Sequence, residues 1–247
     1  MDRTPPSAKV FDVSKYVLDA GVPRAVVNKV SFEIPAQNFT ALLGPSGSGK
    51  STLISVLAGI ERVDGGIVEI GEKNIVQMTD DEIVELRKNE LGVIFESDNL
   101  LPSLTIEQNL RLPSSFSKRD IDEKQFAQVV RAFGLSEYLQ LIPYHAGRAI
   151  QQRTAIARAV LASARMLLCD DPVRGMARQS AQEILSLLRV CVREFGISVL
   201  ITTEDPAAAA FADRVYLLSD GELIGRIDSP SLQSILLAMS SFGYGEE

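Results

Sequence analysis

Gly44-Pro45-Ser46-Gly47-Ser48-Gly49-Lys50-Ser51-Thr52 stands between a strand-like run, Phe39 to Leu43, and an apolar helical stretch, Leu53 to Leu57. The spacing is G-x-x-x-x-G-K-[ST], in the strand–loop–helix setting that a phosphate-binding loop requires. Glycines let the backbone fold back so that its N–H groups converge on phosphate oxygens. The helix that follows adds its positive N-terminal end. Lys50 is expected to reach the β- and γ-phosphates and the Ser51 hydroxyl to bind Mg²⁺. The stretch points to a bound nucleoside triphosphate.

Composition narrows what surrounds this loop. At 247 residues, the chain can bury a large core, on the order of 70–75% of its unfolded surface. One α/β domain with an inserted subdomain suits that length. A formal charge of −7 argues against a nucleic-acid backbone as the main partner. No apolar run approaches the roughly 18 residues of a membrane span. Met1 to Lys9 has no hydrophobic core of a signal peptide. Cys169 and Cys191 sit in apolar patterns, as reduced cytosolic thiols do. With one histidine and no paired cysteine motif, a zinc-type site is not expected.

Outward from the loop, Lys9 to Val17 and Asn28 to Ile34 read as strands, with a turn at Gly21-Val22-Pro23. After the loop come a turn at Asp64-Gly65-Gly66 and a strand, Ile67 to Ile70. Thr79 and Glu82 have capping-box spacing, which predicts a helix to about Asn89. A short strand, Leu91 to Phe95, then leads into a block with helical apolar spacing, Thr105 to about Ser163. Pro113, Gly134 and Pro143 are expected to divide that block. Residues 96–164 thus read as a helical subdomain inserted in the α/β core. Strands and helices alternate afterwards: strand Met166 to Asp170, helix Arg178 to Phe195, strand Ile197 to Thr202, helix Ala207 to Ala212. Strands Arg214 to Leu218 and Glu222 to Ile227 and a helix from Ser231 to Met239 complete the chain.

These motifs resemble the nucleotide-binding domain of ABC transporters, and more narrowly the MacB/LolD-type ATPase subunits. The narrower likeness rests on Met78-Thr79-Asp80-Asp81-Glu82, Leu91-Gly92-Val93-Ile94-Phe95 and Asn99-Leu100-Leu101-Pro102-Ser103-Leu104-Thr105. The resemblance spans roughly residues 10–227. It implies a P-loop α/β core with an antiparallel β edge and a helical subdomain. It also implies that two such domains sandwich ATP and Mg²⁺ between one P-loop and the other's signature motif, driving a transmembrane permease from the cytoplasmic face of the membrane. Asp170, ending the run Met166-Leu167-Leu168-Cys169, takes the place of the Mg²⁺-side aspartate. Tyr16 takes the place of the aromatic that stacks on adenine, which its ring face suits.

Other positions depart from the family pattern. The catalytic glutamate is replaced by Asp171, one methylene shorter, a displacement of roughly 1 Å that can cost about 10²-fold in rate. The signature Leu-Ser-Gly-Gly-Gln becomes Ala146-Gly147-Arg148-Ala149-Ile150, although the following Gln151-Gln152-Arg153 is kept. Gly147 removes the serine hydroxyl, and Arg148 and Ala149 fill places where close backbone approach favours glycine. Arg148 could instead supply a guanidinium to a phosphate. The glutamine that carries Mg²⁺ and water is Glu96, an oxygen donor that still suits a hard cation. The switch histidine is expected at Thr203, whose hydroxyl cannot take over imidazole proton chemistry. The aspartate at the end of Pro172-Val173-Arg174-Gly175-Met176-Ala177 is Ala177. His145, next to the signature position, reads as a surface side chain.

The pattern predicts a subunit that binds Mg-ATP and dimerises but hydrolyses weakly or not at all, paired with a second, different ATPase subunit. An active transport ATPase using Asp171 is the alternative, and a soluble nucleotide-sensing module is a third. The apolar, proline-stiffened loop Asn99 to Leu104 favours a permease partner over the third.

Overall fold

A computed structural model describes residues 5, 7–19, 21–95, 99–116 and 122–241. Two sheets form the frame. Strands β1 (Ala8–Asp19), β2 (Val22–Ile34), β4 (Gly65–Ile70) and β5 (Lys73–Asn74) make a four-stranded sheet in the order β2-β1-β4-β5. Its pairs are all antiparallel. The second sheet has six strands in the order β10-β9-β3-β8-β7-β6. These are β3 (Phe39–Leu43), β6 (Leu91–Ile94), β7 (Met166–Cys169), β8 (Ser198–Thr203), β9 (Arg214–Ser219) and β10 (Glu222–Asp228). Its pairs are parallel except the edge hairpin β9–β10.

The apolar runs of the six-stranded sheet follow from burial on both faces, where alternation is lost. Ala41 and Leu43 join one core with Leu167, Cys169, Val199, Ile201, Val215 and Leu217. That core takes in helices α3 (Ile106–Phe116), α4 (Glu123–Ala132), α5 (Arg148–Leu161) and α6 (Arg178–Phe195). On the opposite face Leu42, Leu168, Leu200 and Leu218 meet the antiparallel sheet and α1 (Lys50–Leu57). Helices α7 (Pro206–Ala209) and α8 (Leu232–Ser241) follow β8 and β10.

Local chemistry sets several boundaries. Helix α2 (Asp80–Asn89) starts on a capping box: Glu82 accepts the Thr79 N–H at 2.8 Å, and the Thr79 hydroxyl accepts the Glu82 N–H at 3.4 Å. Gly196, at φ 65°, ends α6 in a left-handed cap.

Two expectations are corrected. Pro113 does not divide the helical block. It lies inside α3, which runs three residues beyond it; an interior proline removes one helix hydrogen bond, and the buried Ile106 and Leu110 anchor the helix before it. The second strand begins at Val22, six residues before Asn28, and pairs Val22 with Asp19 across a tight turn. Its early part is exposed on both faces, so no alternation marks it.

Candidate functional site

Strands β3, β8 and β7 lie side by side and parallel, so their C-terminal ends open on one edge of the sheet. The register pairs Leu43 with Thr203 and Cys169 with Ile201. The residues that follow β3, β7 and β8 therefore converge at this edge, where open α/β sheets take their ligands.

The loop after β3 has the shape its glycines predict. Gly47 and Gly49 have φ of 77° and 100°, which only glycine adopts without strain. A Cβ on Gly49 would stand 2.4 Å from the Val26 carbonyl oxygen, and one on Gly44 would stand 2.2 Å from that of Leu218. The loop thus presses against backbone on two sides. The Lys50 ammonium donates to the Gly44 carbonyl at 2.8 Å and to the Pro45 carbonyl at 2.7 Å. Burial lowers its proton affinity; Glu204, Asp171 and Asp170 act to raise it, and Arg174 lowers it further.

A cavity of about 220 Å³ opens over this loop. Ser46, Gly47, Gly49, Lys50, Ser51 and Thr52 form its floor, and Asp171, Arg174 and Glu204 also border it. The Ser48 hydroxyl is buried beneath with no hydrogen-bond partner. The backbone turns, the lysine and the hydroxyls match what a chain of phosphates requires.

At one side of the floor four residues form a hydrogen-bonded clamp. The Ser51 hydroxyl donates to Asp170 Oδ1 at 3.0 Å, and the buried Thr202 hydroxyl donates to the same oxygen at 2.7 Å. Thr202 Oγ1 in turn accepts the Asp171 N–H at 2.9 Å. Asp171 is held at φ 42°, a left-handed conformation that costs a non-glycine residue about 1–3 kcal/mol and gathers at functional sites. Among the described residues no group of three or more His, Cys, Asp or Glu side chains is placed to hold a metal ion. Mg²⁺ fits the Ser51–Asp170 pair, because it is held by one or two protein oxygens with phosphate and water supplying the rest.

Thr203 is buried, and its hydroxyl accepts the Asp205 N–H at 3.0 Å. It is the next residue, Glu204, that borders the phosphate-loop cavity. Tyr16 is half-exposed on β1, opposite Ala25 and beside Val26, with its N–H donated to Asp64 at 2.7 Å. Gly147 is the N-cap of α5 and offers no side-chain hydrogen bond. Arg148 opens α5 and Ala149 follows. The Arg148 Nη1 atom is 3.3 Å from where a Cβ on Gly175 would lie, so it rests on the turn after β7 of its own chain. Ala177 caps α6 without a side-chain bond. His145 ends a short 3₁₀ turn against the exposed Tyr144 ring. Glu96 lies outside the described residues.

Sequence reasoning missed Arg174 and Glu204 as cavity residues. A signal for Glu204 was present: it directly follows a parallel strand beside the loop strand.

The ABC transporter family profile matches residues 27–174. The chain belongs to the ABC transporter family. Over 232 residues it is 32% identical to a lipoprotein-releasing system ATP-binding protein, LolD, of Anaeromyxobacter dehalogenans, covering 93% of this chain and 96% of that one. It is 31% identical to the ABC transporter ATP-binding protein YxdL of Bacillus subtilis, over 81% of this chain and 79% of that one. The macrolide export ATP-binding/permease protein MacB of Shigella flexneri is 30% identical over 86% of this chain, a match that spans a third of that protein. Among solved structures, the ATP-binding cassette MJ0796, a dimer bound to ADP and Pi, superposes with a TM-score of 0.82 at 27% identity. That match covers 91% of this chain and 99% of the other. The two-sheet α/β architecture is thus that of an ABC ATPase cassette. Among the described residues no helix is long and apolar enough to cross a membrane.

Proposed function

We propose that this ABC cassette binds Mg-ATP at the Lys50 loop and closes against a second, different ATPase subunit, hydrolysing ATP weakly or not at all. It would work at the cytoplasmic face of a membrane as the peripheral partner of a MacB-type permease. The observation that carries the reading is the start of α5, Gly147-Arg148-Ala149, which offers no hydroxyl to a phosphate across a dimer and turns its arginine onto its own chain.

In this reading Lys50 and the loop N–H groups hold the phosphates, and Ser51 and Asp170 hold Mg²⁺, with Glu96 as a further oxygen donor. Tyr16 stacks on adenine. ATP supplies the negative charge and the cleavable anhydride. This chain binds and orients it, while Asp171 and Thr203 stand where the family places its water-activating glutamate and switch histidine. Asp171 is one methylene short, and the buried Thr203 hydroxyl is engaged by Asp205.

Single-turnover hydrolysis of γ-labelled ATP by the purified protein tests the proposal. Nucleotide bound and recovered uncleaved supports it; brisk phosphate release by the homodimer overturns it. The clamp through Thr202 favours one competing reading, an active ATPase with Asp171 as the water-orienting carboxylate, because it fixes that residue's backbone next to the Mg²⁺-side aspartate. Affinity purification from membranes addresses partnership: a second ATPase chain and a permease should co-purify.

A further inference from the structure

We infer that Arg174 is a cis-acting cation for the terminal phosphate of the bound nucleoside triphosphate, supplied by the same chain that supplies the phosphate loop. The inference rests on the nucleotide-binding reading above and goes beyond it by adding a γ-phosphate contact, beside Lys50, from a residue outside the phosphate loop.

Three observations converge. First, Arg174 borders the cavity over the loop together with Lys50, Ser46 and Ser51, the residues that would meet the phosphates. Second, the backbone that carries it is fixed. The Arg174 N–H donates to the Asp171 carbonyl at 3.1 Å, and the Met176 N–H donates to the Val173 carbonyl at 3.1 Å. These successive turns are pinned by the buried Pro172 and Val173 and by Gly175 at φ 68°. Third, the charge balance of the cavity calls for a cation there. Asp171 and Glu204 border the same cavity, and both would repel an incoming polyanion. Arg174 stands among them as a second cation beside Lys50. A planar guanidinium suits this task, because it can give two parallel N–H bonds to one phosphate.

Separate titrations of Mg-ATP and Mg-ADP into the wild-type chain, Arg174→Ala and Arg174→Lys test the inference, with protein kept dilute enough to stay monomeric. Arg174→Ala should weaken Mg-ATP by about tenfold or more, the size of a lost charged hydrogen bond, while Mg-ADP changes less than twofold. Arg174→Lys should fall between, since the charge is kept and the fork is lost. Equal loss for both nucleotides would assign Arg174 a structural role and overturn the inference, as would no change for either. If the wild-type chain binds neither nucleotide, the underlying binding assignment fails as well, and that result is read before any variant is made. The exposed position of Arg174 lets the variants fold, which near-ultraviolet circular dichroism verifies.

Discussion

Thr202 and Asp170 are joined by a hydroxyl-to-carboxylate hydrogen bond of 2.7 Å, and the same hydroxyl accepts the Asp171 N–H. One buried threonine thereby sets the positions of two neighbouring acids at the end of β7. Thr202→Val keeps the branched shape but removes donor and acceptor together. It should destabilise the fold by about 1.5–3 kcal/mol, the range for a hydrogen bond to a charged group, and weaken Mg-ATP several-fold. Urea unfolding and calorimetric titration check the two effects separately.

Gly49 combines a steric constraint with a left-handed backbone. With φ at 100° and the Val26 carbonyl 2.4 Å from an added Cβ, Gly49→Ala must move either the loop or β2. A loss of about 2 kcal/mol or more is expected from overpacking together with left-handed strain. Nucleotide affinity should fall with it. A Gly71→Ala control, at φ 59° with open space around it, should lose stability by strain alone and leave nucleotide affinity unchanged.

Asp171 separates the two hydrolysis readings. Asn tolerates positive φ at least as well as Asp, so Asp171→Asn should fold and bind ATP normally and, on the weak-hydrolysis reading, leave turnover where it is. A fall from a measurable rate would support the active-ATPase reading instead. Asp171→Glu should not simply restore a family-like base. At φ 42° the longer side chain is less well accommodated, and a destabilisation of about 1 kcal/mol is expected in denaturant melts.

The two buried thiols make pH a probe of folding. Burial pushes the Cys191 thiol up to about 12 and lifts Cys169 well above its usual range. Because the folded pKa exceeds the unfolded one, this contribution to stability is fully present below about pH 8.5 and is lost as pH rises towards 12. The urea midpoint should therefore fall between pH 8 and pH 10.5. Alkylation at pH 8 should be slow in the native state and fast once the chain is unfolded.

Where sequence patterns agree with burial, they located structure well. Phe39 to Leu43, Thr79 with Glu82, and Arg178 to Phe195 matched the observed elements, each marked by an apolar run, a cap or helical spacing. The start of β2 was hidden because Val22 to Arg24 is exposed on both faces. Pro113 misled because tertiary packing tolerates a missing backbone donor. At the site, the loop residues and Asp170 were legible from local motifs. Arg174 was not, and Glu204 was marked only by its place after a strand, because the cavity they border forms only when separate strand ends are brought side by side.

Lys50 has three N–H donors and spends two on the Gly44 and Pro45 carbonyls. It can keep both while offering the third to an oxygen of a ligand. The ammonium is therefore also a rivet that holds the loop closed on itself. A ligand entering such a loop need not wait for it to rearrange, so association should proceed in a single kinetic phase whose rate rises linearly with nucleotide concentration. Selection among ligands would then fall mainly to how fast each one leaves.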